Sequence, residues 1–403
     1  MSTPLPQTVY MDNHATTRVD PRVLEAMLPW FGESYGNAGS LGHAFGQQAR
    51  AAVEDARARL ASALGTEPET IIFTSGATES NNLAIRGVAG HTSRRGNHWL
   101  SVGTEHHSVL EPLHRLAESG HEVTLLEVEP HPNARAGWLD PQKVADALRD
   151  QTCLVSVMLA NNEIGVIQPL AEIAHLCHER GVLLHCDATQ AVGKIPVAMD
   201  RLGVDLLSFS AHKFYGPKGI GGLVVRRGQP AVRLEPQIVG GGQQADRRSG
   251  TLNVPGIVGM ASALELCVRE LPQEAVRLAN LRNQLRRGLE EAVGDVVLCG
   301  PEPEPLEPPG RALRLPGNLN MALRNIEGAA LQMALPRLAI SSGATCASAD
   351  PNPSHVLLAL GIPADLARGS LRFGLGRFNT DKDVSFSVEA VTGAVERLRR
   401  LIR

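Results

Sequence analysis

The sequence has few aromatic residues, little net charge and no long apolar run. Phe, Trp and Tyr together make up 3% of its 403 residues, so helix and sheet packing must rely on aliphatic side chains. A formal net charge of −3 provides no strongly basic field, which argues against partners such as nucleic acid or anionic lipid. A membrane span needs about 18 consecutive apolar residues, and the absence of such a run predicts no membrane-spanning segment.

The six cysteines show no C-x-x-C spacing, and the N-terminal residues MSTPLPQTVY lack the charged and apolar regions of a signal peptide. Both features predict reduced thiols in a cytoplasmic protein. The fractions of apolar residues (43%) and charged residues (20%) are ordinary for a globular protein, and the length favours two or three domains.

Strand-like and helix-like segments alternate through the first part of the chain. Residues 21–64 predict two helices around a Gly-rich break, with the second helix ending at Gly65. Apolar runs with helical segments between most of them follow at 71–74, 98–103, 121–128, 153–160, 182–187, 204–210 and 221–227. Nearly continuous apolar strands that alternate with helices are typical of an α/β fold, in which helices cover both faces of a mostly parallel sheet.

The pattern changes after about residue 254. A long helix is predicted to about residue 293, and the Pro-rich segment 301–317 is interpreted as a surface connection or insertion. Short strands and helices make up the remainder. We predict a large α/β domain over residues 17–260, and a smaller α+β domain formed by residues 1–16 and 261–403.

Polar residues follow several predicted strands, where open α/β sheets bind their ligands. The turn SGATES (75–80) opens a helix, and free N–H groups there suit a phosphate, although a simple helix cap would use the same residue types. Asp187 ends the run VLLHCD. A carboxylate at a buried strand end needs a partner, for which a protonated pyridine nitrogen, an arginine or a backbone cap would serve.

Lys213 follows the run VDLLSFS, with Ser210 and His212 beside it. A partly desolvated lysine can act as a nucleophile toward an aldehyde, and the alternative is a lysine whose stem lies along the surface. The glycines after it do not have the spacing of a P-loop, so nucleotide binding is rejected.

The dipeptide His106–His107 follows another strand, and a histidine there can face a cofactor ring. No cysteine or carboxylate stands near it with the spacing of a metal site. The strand ends therefore supply a phosphate cradle, a carboxylate, a nucleophilic lysine and a ring-facing histidine. These are the parts that pyridoxal phosphate requires of a protein.

One of the six cysteines lies in a different setting from the others. Five stand in apolar, periodic segments and are predicted to be buried and inert: Cys153, Cys177, Cys186, Cys267 and Cys299. Cys346 lies in SSGATCASA, a run with little to bury, so we expect it to be exposed and mobile. A thiol in such a loop can enter a pocket and leave it again, which makes Cys346 the candidate nucleophile.

The sequence resembles the cysteine desulfurases, in the class V aminotransferase branch of the fold type I pyridoxal-phosphate enzymes. The resemblance runs from YMDNHATTRVDPRV to LRFGLGRF, nearly the whole chain, through FTSGATESNNLAI, TEHHSVL, NNEIGV, DATQAVGK, SFSAHKFYGPKGIG, RSGTLN and SSGATCAS. SFSAHK and the cysteine loop with PSHVLLALG are its most specific motifs, and the extended loop is similar to that of group I. The resemblance implies a large domain with a mostly parallel seven-stranded sheet between helices.

The resemblance also implies residue roles. Lys213 would bond covalently to the cofactor, Asp187 would pair with the pyridine nitrogen, Gln190 with the ring hydroxyl, and His106 would stack on the ring. The expected phosphate and further cofactor contacts are Ala77, Thr78, Ser210, His212, Asn162 and Thr251 of the partner subunit. Asn37, Asn162 and Arg372 would bind the substrate carboxylate, and Cys346 would receive the sulfur.

The activity so implied is the conversion of L-cysteine to L-alanine, with sulfur held on Cys346 as a persulfide for acceptor or scaffold proteins such as those of iron–sulfur cluster assembly. A homodimer and no resident metal are expected, with Cys346 as a transient cluster ligand. A selenocysteine lyase or another class V enzyme is the nearest alternative. A sulfur-relay or assembly protein without catalysis is a second one.

Overall fold

The computed structural model describes residues 8–91, 96–228, 231–303, 312–342 and 352–402. Its strands, in chain order, are β1 (Val9–Tyr10), β2 (Ile71–Thr74), β3 (His98–Val102), β4 (Glu122–Leu126), β5 (Thr152–Ser156), β6 (Leu183–Asp187), β7 (Leu206–Ser210), β8 (Gly221–Val225), β9 (Val296–Leu298), β10 (Asn318–Leu323), β11 (Leu338–Ala339), β12 (Ser341–Ser342) and β13 (Ser370–Gly374). These strands form three sheets.

The helices connect the strands and cover the sheets. In chain order they are α1 (Pro21–Met27), α2 (Ala44–Leu64), α3 (Ala77–Ala89), α4 (His107–Glu118), α5 (Pro141–Ala147), α6 (Leu170–Glu179), α7 (Met199–Leu202), α8 (Val254–Val293), α9 (Gly328–Met333), α10 (His355–Ala359), α11 (Ala364–Arg368) and α12 (Asp381–Ile402). Among the residues described, no helix combines the length and the apolarity that a membrane span requires.

The largest sheet has seven strands in the order β2-β8-β7-β6-β5-β3-β4. Only β8 runs antiparallel to its neighbours, β2 and β7, and the other pairings are parallel. Every strand except the edge strand β4 is buried along its whole length, which explains the continuous apolar runs in the sequence. The predicted α/β fold with a mostly parallel seven-stranded sheet is confirmed.

A second hydrophobic cluster surrounds a four-stranded antiparallel sheet in the order β12-β13-β10-β9. The C-terminal half of α8 and the apolar face of α12 pack on this sheet, through residues such as Leu285 and Val391. β1 pairs in parallel with β11, so the N-terminal strand joins this part of the chain. The long helix predicted from about residue 254 is confirmed as α8.

The Pro-rich segment differs in part from the prediction of a surface connection. Its residues 304–311 lie outside the described part of the chain. Arg314 and Leu315, by contrast, are buried. The Arg314 guanidinium donates to the carbonyl groups of Cys299 and Pro301 and to Asn318 Oδ1, because a buried cation needs acceptors on every side. This end of the segment therefore belongs to the core.

Local sequence signals set several helix ends. Gly65 takes φ 62° after α2, the left-handed conformation that glycine adopts without strain, as the sequence predicts. Asp20 caps α1 by accepting from the backbone N–H of Arg22 at 3.0 Å. The five cysteines predicted to be buried are all buried in the structure.

Asp20 is also the buried centre of an ion-pair cluster. Its carboxylate, 2% exposed, accepts from the Arg22 guanidinium at 2.8 Å and from Arg377 at 2.5 Å. The Arg22 hydrogen bonds, together with those of Arg377, hold the pKa of the Asp20 carboxyl well below its usual range. Arg377 follows β13, so this pair connects the start of α1 to the C-terminal part of the chain.

Replacing Asp20 with Asn should lower the free energy of unfolding by about 2–3 kcal/mol near neutral pH, since it leaves Arg377 with Glu270 as its remaining carboxylate. The contribution of Asp20 is present above the ordinary carboxyl pKa and is lost as the pH falls toward the lowered folded pKa. Urea unfolding of the unsubstituted chain and of the Asp20→Asn chain, from about pH 7 to about pH 3, measures this contribution. The difference between their free energies of unfolding should become smaller as the pH falls. Arg22→Ala, at a half-exposed guanidinium, should cost under about 1 kcal/mol. Equal losses in the two variants would contradict the prediction.

Candidate active site

A cavity of about 630 Å³ lies at the carboxyl ends of the parallel strands. The predicted site residues that line it are Ala77, Thr78, His106, Asn162, Asp187, Gln190, Ser210, His212, Lys213 and Arg372. They come from segments far apart in the sequence, and they meet because parallel strands present their ends at one edge of the sheet.

Lys213 lies in a short 3₁₀ turn, Ala211–Lys213, directly after β7. Its Nζ donates to the backbone carbonyl groups of His14 and Ala15, each at 2.7 Å. The segment that follows β1 therefore holds the lysine amine at the wall of the cavity. The amine is placed where an aldehyde in the cavity would meet it.

The turn between β2 and α3 forms one end of the cavity. Gly76 has φ 155°, a conformation that favours glycine, and α3 begins at the next residue. A Cβ on Gly221 would lie 2.7 Å from the Gly76 Cα, so the absence of a side chain at Gly221 lets this turn approach β8. The first N–H groups of α3 and the buried hydroxyl of Ser210 line this end of the cavity, a donor set that suits a phosphate.

Asp187 ends β6 and is 5% exposed. Its Oδ2 accepts from Asn81 Nδ2 at 2.8 Å, and its Oδ1 accepts from the backbone N–H of Thr189 at 2.9 Å. Both hydrogen bonds fix the orientation of the carboxylate. A carboxylate held in this way can accept from a protonated ring nitrogen in the cavity.

His106 caps α4 with its ring, because its Nδ1 accepts from the backbone N–H of Ser108 at 3.1 Å. The Ser108 hydroxyl lies 2.8 Å from the same nitrogen. Burial, more than any charge, lowers the pKa of His106 below its usual value. Preceding it, Glu105 is fully buried and accepts from the Met158 N–H, and burial raises the pKa of its carboxyl well above the usual range.

Gln190 is oriented by two neighbours that the sequence analysis did not single out as site residues. Lys194 Nζ donates to Gln190 Oε1 at 2.6 Å, and His14 Nδ1 lies 3.0 Å from the same oxygen. The Gln190 amide nitrogen donates to the His14 carbonyl at 2.9 Å. The amide oxygen therefore faces Lys194, and the second N–H of the amide nitrogen is left to contact a ligand.

Arg372, on β13, carries positive charge to the same cavity and is 4% exposed. Its Nη2 donates to Asp12 Oδ1 at 2.9 Å and to the Ser341 hydroxyl at 2.8 Å. Its Nη1 donates to the Asn162 carbonyl at 3.3 Å. These contacts fix the guanidinium plane, as bidentate recognition of a carboxylate requires.

The arrangement fits pyridoxal phosphate. The glycine turn and Ser210 offer a phosphate cradle, and the carboxylate of Asp187 faces the same cavity as the amine of Lys213. The buried Thr189 Oγ1, also at the wall, has no hydrogen-bond partner among the described residues. A polar ligand that brings a donor or an acceptor would satisfy it.

Among the described residues, two predicted site residues do not line this cavity, and a third predicted residue lies outside the described part of the chain. Asn37 is exposed, and its Oδ1 accepts from the Gly39 N–H within its own turn. Thr251 is also exposed, and its predicted role is in a partner subunit. Cys346 lies outside the described residues. The roles of all three stay predictions.

The sequence analysis missed His14, Asn81, Ser108, Lys194 and Glu105 as members of this region. All five lie within quoted motifs or one residue of a predicted site residue. A signal was available for Lys194, because it is a charged residue in an otherwise small or apolar run, and for Glu105, because it directly precedes the predicted site residue His106. No signal marks Asn81, since an asparagine inside a helix is usually a solvated residue.

A sheet with a lysine after one strand, a carboxylate at the end of its neighbour and a glycine turn before a helix defines the fold type I class of pyridoxal-phosphate enzymes. Residues 9–386 match the family model described as Aminotransferase class-V. The chain belongs to this family, as the sequence motifs predict.

Curated relatives are similar over nearly the whole chain. "Cysteine desulfurase IscS" of Anaeromyxobacter dehalogenans (strain 2CP-C) is 51% identical over 393 residues, which cover 98% of this chain and 94% of the relative. "Cysteine desulfurase IscS" of Dictyoglomus turgidum (strain DSM 6724 / Z-1310) is 44% identical over 395 residues, covering 98% and 96%.

Solved structures are similar in fold as well. A structure titled "NIFS-LIKE PROTEIN" superposes with a TM-score of 0.87 at 37% identity, covering 96% of this chain and 99% of that one. Another, titled "SspA in complex with cysteine", superposes with a TM-score of 0.76 at 32% identity, covering 93% and 100%. Members of this family are pyridoxal-phosphate enzymes in general. This agrees with the class of cofactor predicted from the sequence.

Proposed function

We propose that this chain is a cysteine desulfurase that removes sulfur from L-cysteine, releases L-alanine and holds the sulfur on Cys346. The comparisons agree with the activity predicted from the sequence. The observation that carries the proposal is one cavity lined by the Lys213 amine, the Asp187 carboxylate and the Arg372 guanidinium, in a chain 51% identical to a named cysteine desulfurase.

Pyridoxal phosphate, when bound, supplies an aldehyde for covalent attachment and a ring that accepts electron density from the substrate Cα. Lys213, Asp187 and Gln190 are the residues we assign to its aldehyde, ring nitrogen and ring hydroxyl. Ala77, Thr78, Ser210 and His212 are assigned to its phosphate, with Thr251 of the partner subunit. Asn162 and His106 are assigned to the remaining walls of the ring site.

Each residue then has a task in the reaction. Arg372, with Asn162 and Asn37, binds the substrate carboxylate and orients the amino acid. Lys213 removes a proton from Cα as general base. The Cys346 thiolate attacks the substrate sulfur, so that an S–S bond forms while the Cβ–S bond breaks and leaves its electron pair on the substrate carbon. Protonation of that carbon, and the return of a proton to Cα, give alanine.

A homodimer that delivers sulfur to an acceptor or scaffold protein completes the proposal. Large apolar side chains are exposed from α1 to the start of α2, namely Leu24, Leu28, Phe31, Tyr35, Leu41 and Phe45. A run of this kind marks a surface that a protein partner covers. The large domain over residues 17–260, the small domain over 1–16 and 261–403, and the cytoplasmic location stay predictions.

The direct test supplies the purified chain and pyridoxal phosphate with L-cysteine, D-cysteine or L-selenocysteine, and follows alanine and enzyme-bound sulfur. We expect alanine and one persulfide per chain from L-cysteine. We expect little turnover of D-cysteine, because its carboxylate and its thiol cannot both occupy the positions that those groups of L-cysteine take in the site. Turnover of selenocysteine alone would favour the lyase alternative. A chain that binds no cofactor and forms no alanine would favour the non-catalytic relay protein.

A further inference from the structure

Three buried polar side chains and the His106 ring form a continuous chain of hydrogen bonds beside the cavity. Asn81 Nδ2 donates to Asp187 Oδ2 at 2.8 Å and to the Ser108 hydroxyl oxygen at 2.8 Å. The same Ser108 oxygen lies 2.8 Å from His106 Nδ1. Asn81 is 0% exposed and Ser108 is 8% exposed, so water has little access to the middle of this chain. The chain joins the carboxylate assigned to the ring nitrogen with the histidine assigned to the ring face.

The direction of each hydrogen bond follows from groups that can only donate or only accept. An ionised Asp187 only accepts, so the Asn81 amide nitrogen must face it. The second N–H of that amide then points to the Ser108 oxygen, which accepts it and keeps its own hydrogen to donate. At the other end, a backbone N–H only donates, and the Ser108 N–H is directed at His106 Nδ1 at 3.1 Å.

His106 Nδ1 is therefore an acceptor from two donors, the N–H and the O–H of Ser108. A hydrogen on this nitrogen would face both of them, which is a repulsive arrangement. In the neutral ring the proton must then sit on Nε2. His106 lines the cavity, so this N–H is the polar group that its ring offers to a ligand.

We propose that Asn81 and Ser108 are positioning residues that fix His106 in the tautomer with the proton on Nε2, making His106 a hydrogen-bond donor toward the cavity. The proposal rests on the proposed function only in giving this donor a role toward substrate. It refines the task of His106: the ring contributes a donor, and removal of the Cα proton is left to Lys213.

The surrounding charges act on the same ring from several elements. Asp187 on β6 raises its proton affinity, while Lys213 after β7, His107 on α4 and His355 on α10 lower it. These groups influence how readily the ring becomes positively charged. None of them determines which of the two ring nitrogens carries the proton in the neutral ring. The selection comes from the donors at Nδ1, which makes the tautomer the property to measure.

The test is ¹⁵N NMR of histidine-labelled protein, with and without pyridoxal phosphate, from about pH 5 to about pH 9. A His106→Gln chain identifies the His106 signals. In the unsubstituted chain we expect an unprotonated Nδ1 and a protonated Nε2 across the neutral range. Ser108→Ala removes the hydroxyl donor but keeps the backbone N–H. It should raise the titration pH by about one unit, a tenfold gain in proton affinity, and mix the tautomers.

Three further variants separate positioning from a general loss of packing. Ser108→Thr restores a hydroxyl and should return the signals toward their original positions. Asn81→Ala should shift the titration in the same direction by a smaller amount. Ser101→Ala removes a buried hydroxyl of similar size, which donates to the Ser156 carbonyl in β5, and should leave His106 unchanged.

The proposal is overturned if His106 carries its proton on Nδ1 in the unsubstituted chain. It is also overturned if Ser108→Ala leaves tautomer and titration unchanged, or if Ser101→Ala alters them equally. These outcomes differ from a failure of the proposed function, which would appear as no alanine formation by a chain whose His106 tautomer is still the Nε2–H form.

Discussion

Replacing Lys213 with Ala will abolish covalent cofactor attachment and reduce alanine formation from L-cysteine by roughly 10³-fold or more. The amine is held by the carbonyl groups of His14 and Ala15, and no other side chain of the described cavity wall except Lys218 carries a primary amine. Loss of the amine removes both the attachment point and the proposed base. The loss of two hydrogen bonds to carbonyl oxygens should cost only about 1–2 kcal/mol of stability.

Borohydride reduction followed by peptide mass mapping measures the attachment directly. The cofactor should be found on Lys213 and not on Lys218, which lines the same cavity and serves as the internal control. A Lys213→Arg chain keeps the positive charge but cannot bond to an aldehyde, so it should be as inactive as Lys213→Ala. Activity in the arginine variant, or label on Lys218, would contradict the assignment.

Replacing Cys346 with Ala should leave cofactor binding intact and lower sulfur release by roughly 10³-fold or more, because the proposed nucleophile is lost. The absorbance of the bound cofactor should match that of the unsubstituted chain, since no cofactor contact is assigned to Cys346. Persulfide, trapped by alkylation and located by mass spectrometry, should be present on Cys346 in the unsubstituted chain and absent from the variant.

Cys177 and Cys299 provide matched controls. Both are fully buried, and burial raises the pKa of each thiol to about 12, so neither is a thiolate near neutral pH. Each substitution by Ala should keep activity and cost about 1 kcal/mol of stability through lost packing. If the Cys346→Ala chain still released sulfur while the Cys177→Ala chain did not, the nucleophile would have to be reassigned.

The strand-end residues show how far local sequence reasoning reaches. Asp187 and Lys213 each follow a continuous apolar run, and in a parallel sheet such runs end at one edge, so their convergence in one cavity was predictable. The positions of Asn81 and His14 at the site were not predictable from the sequence, because Asn81 lies in a helix and His14 lies in a segment after a two-residue strand. Their roles come from side chains that are about 100 or more positions away in the sequence.

Arg314 shows the opposite case, in which a local signal pointed away from the observed structure. Its Pro-rich surroundings favour an exposed connection, yet its guanidinium is buried among three acceptors. The composition of a segment indicates which conformations the segment favours by itself. It does not indicate which carbonyl groups the rest of the chain places around that segment.

The sequence by itself determined the alternation of helices and strands, the lysine, the carboxylate and the glycine turn, because hydrophobic period and strand-end chemistry are local properties. Only the tertiary structure decided the orientation of the Gln190 amide, the proton position on His106 and the pairing of Asp20 with Arg377. Hydrogen-bond direction depends on which donor meets which acceptor across the fold, and no spacing along the chain specifies that.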